Sequence, residues 1–153
     1  MIQDPPALYV GFSRGAAFTD GLLKARLEGL ELGGEFPSTS NHVTISPSIV
    51  LGGSNRKGAD TDGNIFRLLV ALQRPPNRSG VTLGLAAGLS ATAARSFTGA
   101  GAATGNPNLN KEFHDTSGVI GQLRLGYQGA ELRYTVGSDP KLSGLSLGFR
   151  VRR

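Results

Sequence analysis

The chain of 153 residues is 39% hydrophobic and 18% charged, carries a formal net charge of +5 and contains neither cysteine nor tryptophan. That length holds one core or one closed sheet, which excludes a two-domain enzyme with a separate cofactor domain. The absence of cysteine removes disulfides, Cys-ligated zinc, iron–sulfur clusters and thiol catalysis. The two histidines, His42 and His114, stand far apart in sequence, so no metal and no cofactor is expected, and no apolar run reaches the ~20 residues of a membrane-spanning helix.

The first residues, Met1-Ile2-Gln3-Asp4-Pro5-Pro6, have neither the basic nor the apolar region of a secretory signal, and residues 1–7 are read as a short extension before the first element. From there period-two alternation dominates. Leu8, Val10 and Phe12 open a strand that runs into the loop Arg14 to Gly21. Leu22 to Phe36 reads two ways. Leu23, Ala25 and Leu27 alternate with Lys24, Arg26 and Glu28, while Leu30 and Leu32 fall on the opposite parity, so a strand needs a β-bulge at Gly29 to reset the register. The rival for this segment, spanning 20–32, is an amphipathic helix from Asp20. After the turn Phe36 to Asn41, Val43, Ile45, Pro47, Ile49 and Leu51 oppose Thr44, Ser46 and Ser48. A loop over 53–64 leads to Phe66, Leu68, Val70 and Leu72, and the turn Pro75 to Gly80 to the long strand from Val81 to Ala93, whose odd positions are apolar and whose even positions are small or hydroxylated. A long loop over 97–118 follows. Then come Val119, Leu123, Leu125 and Tyr127, the turn Gln128-Gly129, Leu132, Tyr134 and Val136, the loop Gly137 to Ser143, and Leu145, Leu147, Phe149 and Val151. Loops and tight turns alternate, so eight strands form an up-and-down antiparallel meander with all long loops at one end and both termini at the other. The expected fold is an all-β, eight-stranded barrel occupying 1–153 as one domain.

Closure removes the sheet edges and leaves an interior just wide enough for side chains. A soluble barrel turns its apolar face inward; a membrane barrel reverses this. A soluble exterior would carry Lys, Glu and Asp on most strands, yet the polar faces of the strands starting at Val43 and Val81 hold Thr, Ser, Gly and Ala, with Val50 the exception. The strand charges are few and rich in arginine: Lys24, Arg26, Glu28, Glu31, Arg67, Arg124, Glu131, Arg133 and Arg150. Pointing inward, they form an ion-pair network that fills the lumen, a role that suits the planar guanidinium fork. A soluble barrel binding an apolar ligand inside is the alternative.

On these alternating strands the chain resembles the small eight-stranded outer-membrane barrels of Gram-negative bacteria, the class of the OmpA transmembrane domain and OmpX. The final segment, Leu145-Ser146-Leu147-Gly148-Phe149-Arg150-Val151-Arg152-Arg153, is similar to that family's C-terminal assembly signal but ends in Arg where the family has an aromatic residue. The aromatic belt, with Tyr9, Tyr127, Tyr134 and a few Phe, is thin. The resemblance implies a bacterial outer-membrane location with the signal peptide removed, contact with membrane lipid, and a structural or interactive role in which loops 53–64 and 97–118 meet a protein partner or a surface.

Four motifs bear on chemistry. Gly11-Phe12-Ser13-Arg14-Gly15 fits G-x-S-x-G, but a nucleophile elbow needs a helix and a parallel sheet, and a strand end is the better reading. Phe113-His114-Asp115-Thr116-Ser117-Gly118, with Glu131, looks like the His/Ser/acid set of lipid A deacylases, which would make His114 the base and Ser117 the nucleophile of a lipid-modifying hydrolase. The family places Ser where this chain has Thr116, and Ser117 then falls on the wrong face of a strand; a non-enzyme is expected. Asp60-Thr61-Asp62-Gly63-Asn64 lacks the glutamate and spacing of a calcium loop and reads as a turn. The glycine-rich 99–105 matches no phosphate loop. The cations are dispersed without interleaved aromatics, which argues against nucleic acid. Arg56, Lys57 and Lys111 are instead candidates for contact with anionic lipopolysaccharide, and lumenal arginines would bias a narrow channel toward anions.

Overall fold

In the computed structural model, the residues described are 5–15, 18–20, 23–25, 27–38, 42–56, 59–73, 77–98, 111–113 and 115–152. The strands in chain order are β1 (Ala7–Gly15), β2 (Phe18–Asp20), β3 (Leu23–Ala25), β4 (Glu28–Pro37), β5 (Val43–Arg56), β6 (Ala59–Gln73), β7 (Val81–Thr98), β8 (Lys111–Phe113), β9 (Thr116–Tyr127), β10 (Ala130–Gly137) and β11 (Gly144–Arg152). The sheet runs β6-β5-β4-β1-β11-β10-β9-β7 and closes through β6–β7, every pair antiparallel. This is a closed eight-stranded antiparallel β-barrel. β2 and β3 form a separate hairpin between β1 and β4, and β8 pairs with β7 beyond the start of β9.

Turn chemistry sets the end at which the termini lie. Gln128 and Gly129 both take positive φ, 49° and 91°, which a two-residue loop joining β9 to β10 needs to match the strand twist. In the β6–β7 connection Asn77 accepts from the backbone N–H groups of Ser79 and Val81, and Gly80 supplies φ of 79°. The first and last strands meet at this end, Ala7 opposite Arg152.

The alternation places apolar residues outside. Leu8, Phe12, Leu68, Leu72, Leu85, Leu89, Leu147 and Phe149 are each more than half exposed, whereas Arg124 and Arg133 are 1% exposed. On β7 the outward apolar run from Leu83 to Ala93 covers about 36 Å of strand at ~3.3 Å per residue, which at ~45° tilt gives the roughly 25 Å belt of a membrane barrel. No helix is long and apolar enough to cross a membrane.

Four expectations change. No described residue of the 20–32 segment is helical: Asp20, Leu23–Ala25 and Glu28–Leu32 lie in strands, and the register of β4 with β1 and β5 is continuous from Gly29 to Gly33, without a bulge. Leu27 therefore shares the parity of Glu31 and is buried inside, because the loop-end part of the lumen is apolar and accepts it. Loop 53–64 is largely a hairpin: Gly53–Arg56 pairs with Ala59–Asp62, and residues 57–58 lie outside those described. Phe97 and Thr98 likewise belong to β7. Tyr9 is not in the aromatic belt but fully buried in the lumen, at the alternate parity to Leu8 and Val10.

The lumen is narrow enough that backbones replace side chains in places. A Cβ at Gly88, on the lumen face of β7, would press into the Leu68 carbonyl, while at outward Gly121 it would meet nothing within 4 Å. Gly88→Val is expected to lower stability in micelles by about 1–3 kcal/mol, and Gly121→Leu to change it by less than about 0.5 kcal/mol. Thermal unfolding followed by heat-modifiable gel mobility measures both.

Candidate functional site

The inward parity of five strands brings seven acidic and basic side chains together. β4 contributes Glu31 and Glu35, β6 Arg67, β9 Arg124, β10 Glu131 and Arg133, and β11 Arg150. Glu35 is the hub. Its carboxylate lies 3.0 Å from Arg124, 3.1 Å from Arg133 and 3.0 Å from Arg150. Glu131 pairs with Arg133 at 2.6 Å and Arg150 at 2.7 Å, and Glu31 with Arg67 at 3.3 Å and, more distantly, Arg133 at 3.8 Å. Polar neighbours extend the web. Arg124 donates to Gln122, which donates to Thr135, and to Ser46; Arg150 donates to Gln73. The Arg133 guanidinium stacks 3.5 Å above the Tyr9 ring, whose hydroxyl is hydrogen-bonded to Ser146. One face of that guanidinium is thus engaged by a cation–π contact and its nitrogens by ionic contacts.

Beyond this charged region the lumen turns apolar. Leu27, Val50 and Ile65 form one cluster near the loop end. Leu69, Ala71, Ala86 and Ile120 form another with Leu142, which a single 3-10 turn, Pro140–Leu142, carries inward from the β10–β11 connection. Asp139 accepts from the Lys141 N–H, and Gly137 donates to Ser143 Oγ, so the turn is held at both ends. At Gly118 and Gly137 a Cβ would collide with Leu142; the glycines make its seat.

The structure distributes the candidate residues as follows. Glu31, Arg67, Arg124, Glu131, Arg133 and Arg150 share the lumen. Glu28 does not: with no bulge at Gly29 it has the opposite parity to Glu31, and it pairs with exposed Arg14 at 2.9 Å. Lys24 sits in β3, and its side chain, with the whole of Arg26, lies outside the described residues. Ser117 is exposed on the outer wall opposite Ala91, whereas Glu131 is buried in the lumen, so the wall separates two members of the hydrolase set; His114 lies outside the described residues. Arg56 and Lys111 are strand residues at the loop end, their side chains and Lys57 also outside that description. No group of three or more metal-ligating side chains occurs among the described residues.

Glu35, the hub, was not among the residues expected here. Its signal is the parity Glu31, Gly33, Glu35 on one strand, obscured by two glycines and by Phe36-Pro37, which reads as the start of a turn but continues the strand. Glu35→Ala is expected to cost on the order of 3–5 kcal/mol by leaving buried guanidiniums without their shared anion, against about 0–1 kcal/mol for Glu28→Ala at the surface pair. Urea midpoints of the two refolded variants check this.

No family model and no curated protein matches the sequence. Solved structures do. Ail, the attachment invasion locus protein of Yersinia pestis, in complex with the heparin analogue sucrose octasulfate, is 13% identical at a TM-score of 0.58, over 98% of this chain and 100% of that one. Neisserial surface protein A is 15% identical at 0.61, over 97% of each chain. The N-terminal β-barrel domain of Pseudomonas aeruginosa OprF is 16% identical at 0.57, over 98% of this chain and 100% of that one. At these identities the likeness is one of fold, and with the inverted surface and closed eight-stranded meander it gives this chain the fold of the small outer-membrane transmembrane β-barrels.

Proposed function

We propose that this protein resides in a bacterial outer membrane as a non-catalytic barrel that anchors its loop-end hairpins for interaction. The observation that carries the reading is the inverted surface: a continuous apolar belt outside and a paired charge network inside, which only a lipid surrounding makes favourable. The short turns and both termini then face the periplasm, and the β5–β6 hairpin and the neighbouring end of β7 project outward. The likeness to Ail, which holds a sulfated sugar analogue, supports a loop end that meets anionic saccharide or lipopolysaccharide through Arg56, Lys57 and Lys111.

The hydrolase reading is disfavoured by the wall between Ser117 and Glu131, and the channel reading by the apolar clusters around Leu27 and Leu142. A soluble barrel with an apolar ligand inside is disfavoured by the charged lumen.

Refolding into detergent micelles is expected to give a β spectrum and a heat-modifiable gel shift that detergent-free buffer does not; a monomeric, cooperatively folded protein without detergent would reject the membrane reading. In the refolded barrel, charge reversal at Arg56 and Lys57 is expected to weaken lipopolysaccharide binding, with the effect shrinking as salt rises. Planar bilayers should show no steady conductance, and a stable open level would favour the anion channel instead.

A further inference from the structure

The formal net charge of +5 lies mostly at one end of the barrel. The loop-end stretches, 14–28, 53–64, 95–115 and 137–143, hold nearly as many acidic as basic residues. The chain ends and tight turns differ: 1–6, 38–42, 74–80, 128–129 and 151–153 carry Arg74, Arg78, Arg152 and Arg153 against Asp4 alone. Among the described residues, Arg78 and Arg152 are exposed, and the side chain of neither has an ion pair or hydrogen bond. No described carboxylate is exposed at this end; Glu35 and Glu131 are buried and held by Arg124, Arg133 and Arg150.

The place of the two arginines relative to the apolar wall points to a partner. Val81, Tyr127, Ala130 and Phe149 lie in one register row across β7, β9, β10 and β11, and Tyr127 and Phe149 are more than half exposed on the outside. Arg78 precedes that row by three residues and Arg152 follows it by three. Leu8 and Val151, register partners that are also more than half exposed, carry the wall up to Arg152. Both arginines thus stand where hydrocarbon gives way to headgroups, the depth at which an amphipathic ring such as Tyr127 settles and from which a long arginine stem reaches outward to phosphate. The barrel mouth beside them opens as a vestibule of about 440 Å³, lined by Gly80, Gln128, Arg150 and, at the rim, Arg152.

Arg78, in the β6–β7 connection, and Arg152, at the end of β11, are set apart around the rim with β9 and β10 between them. Cations on separate turns suit a partner that surrounds the barrel, and at this depth the headgroups of a leaflet do so. We propose that the turn-end rim docks anionic phospholipid headgroups of the leaflet at that end, through Arg78 and Arg152. A guanidinium suits a phosphodiester because its donors pair with two oxygens. Anionic lipid fits better than zwitterionic lipid, since no described carboxylate at the rim is free to meet an ammonium group. The inference rests on the membrane reading above and deepens it by assigning a lipid class to one leaflet.

The test uses the full chain refolded into phosphatidylcholine vesicles, with spin-labelled phosphatidylglycerol or phosphatidylcholine as the probe and electron spin resonance reading the fraction of each held at the barrel surface. A preference for phosphatidylglycerol on the order of two- to fivefold at low salt, shrinking as salt rises, is expected. Arg78→Gln combined with Arg152→Gln should bring it close to unity, while Arg14→Gln, which removes an exposed cation at the other end, should leave it. Heat-modifiable gel mobility shows that each variant has folded. A chain that does not insert fails the membrane reading itself. An inserted barrel without a preference, a preference that survives in the folded double variant, or one lost with Arg14→Gln would overturn the rim assignment alone. So would retention of soluble polyglutamate through the two arginines without any lipid preference, which would give the rim to an acidic protein.

Discussion

The barrel depends on one carboxylate. Glu35 sits where guanidiniums from β9, β10 and β11 converge, and within a wall whose exterior is apolar there is no bulk water to screen three cations brought that close. Its strand, β4, lies apart from those three, with β1 between them in the sheet, so the contact is made across the lumen and not along it. Backbone hydrogen bonds zip each neighbouring pair of strands; this ionic hub ties strands that are not neighbours, and so fixes the interior around which the cylinder closes.

Around that hub the interior is graded. The turn-end part is ionic and opens through a vestibule, whereas the loop-end part carries leucine, isoleucine and valine and receives Leu142 from a capped 3-10 turn. The gradient has a physical logic. Charges cluster where donors and acceptors can be shared among many strands, and apolar side chains fill the remainder without demanding partners. A lumen built in this way is filled by side chains and has the character of a core, with the outer belt left to the hydrocarbon of a membrane.

Much of this was legible in the residues in order. Period-two alternation on Val81–Ala93 and Leu145–Val151 reported two-faced strands, and the scarcity of charge on their polar faces reported which face is inside. The same parity identified Arg67, Arg124, Arg133 and Arg150 as one set. Glu35 is hard to see in the sequence because two glycines precede it and Phe36-Pro37 reads as the start of a turn, whereas β4 continues through Pro37 with Phe36 outward. Alternation with Leu27 outward puts Glu28 inside, whereas Leu27 is buried and Glu28 pairs with Arg14 at the surface; an apolar residue in a membrane barrel has two environments that accept it, lipid outside and an apolar lumen layer inside, and hydrophobicity alone cannot choose between them.

What the sequence by itself determined is therefore the strand count, the order of turns and loops, and the sidedness of the wall, because these follow from local alternation and turn-forming residues. What only the tertiary structure decided is which charge meets which: Glu35 with three arginines, Glu28 with Arg14, Ser117 and Glu131 on opposite sides of one wall. Those pairings depend on register summed around a closed cylinder and on contacts across its lumen between residues as far apart in sequence as Glu35 and Arg150. A shift of one residue in any strand would send every side chain of that strand to the other face, and closure of the whole ring is what selects the register.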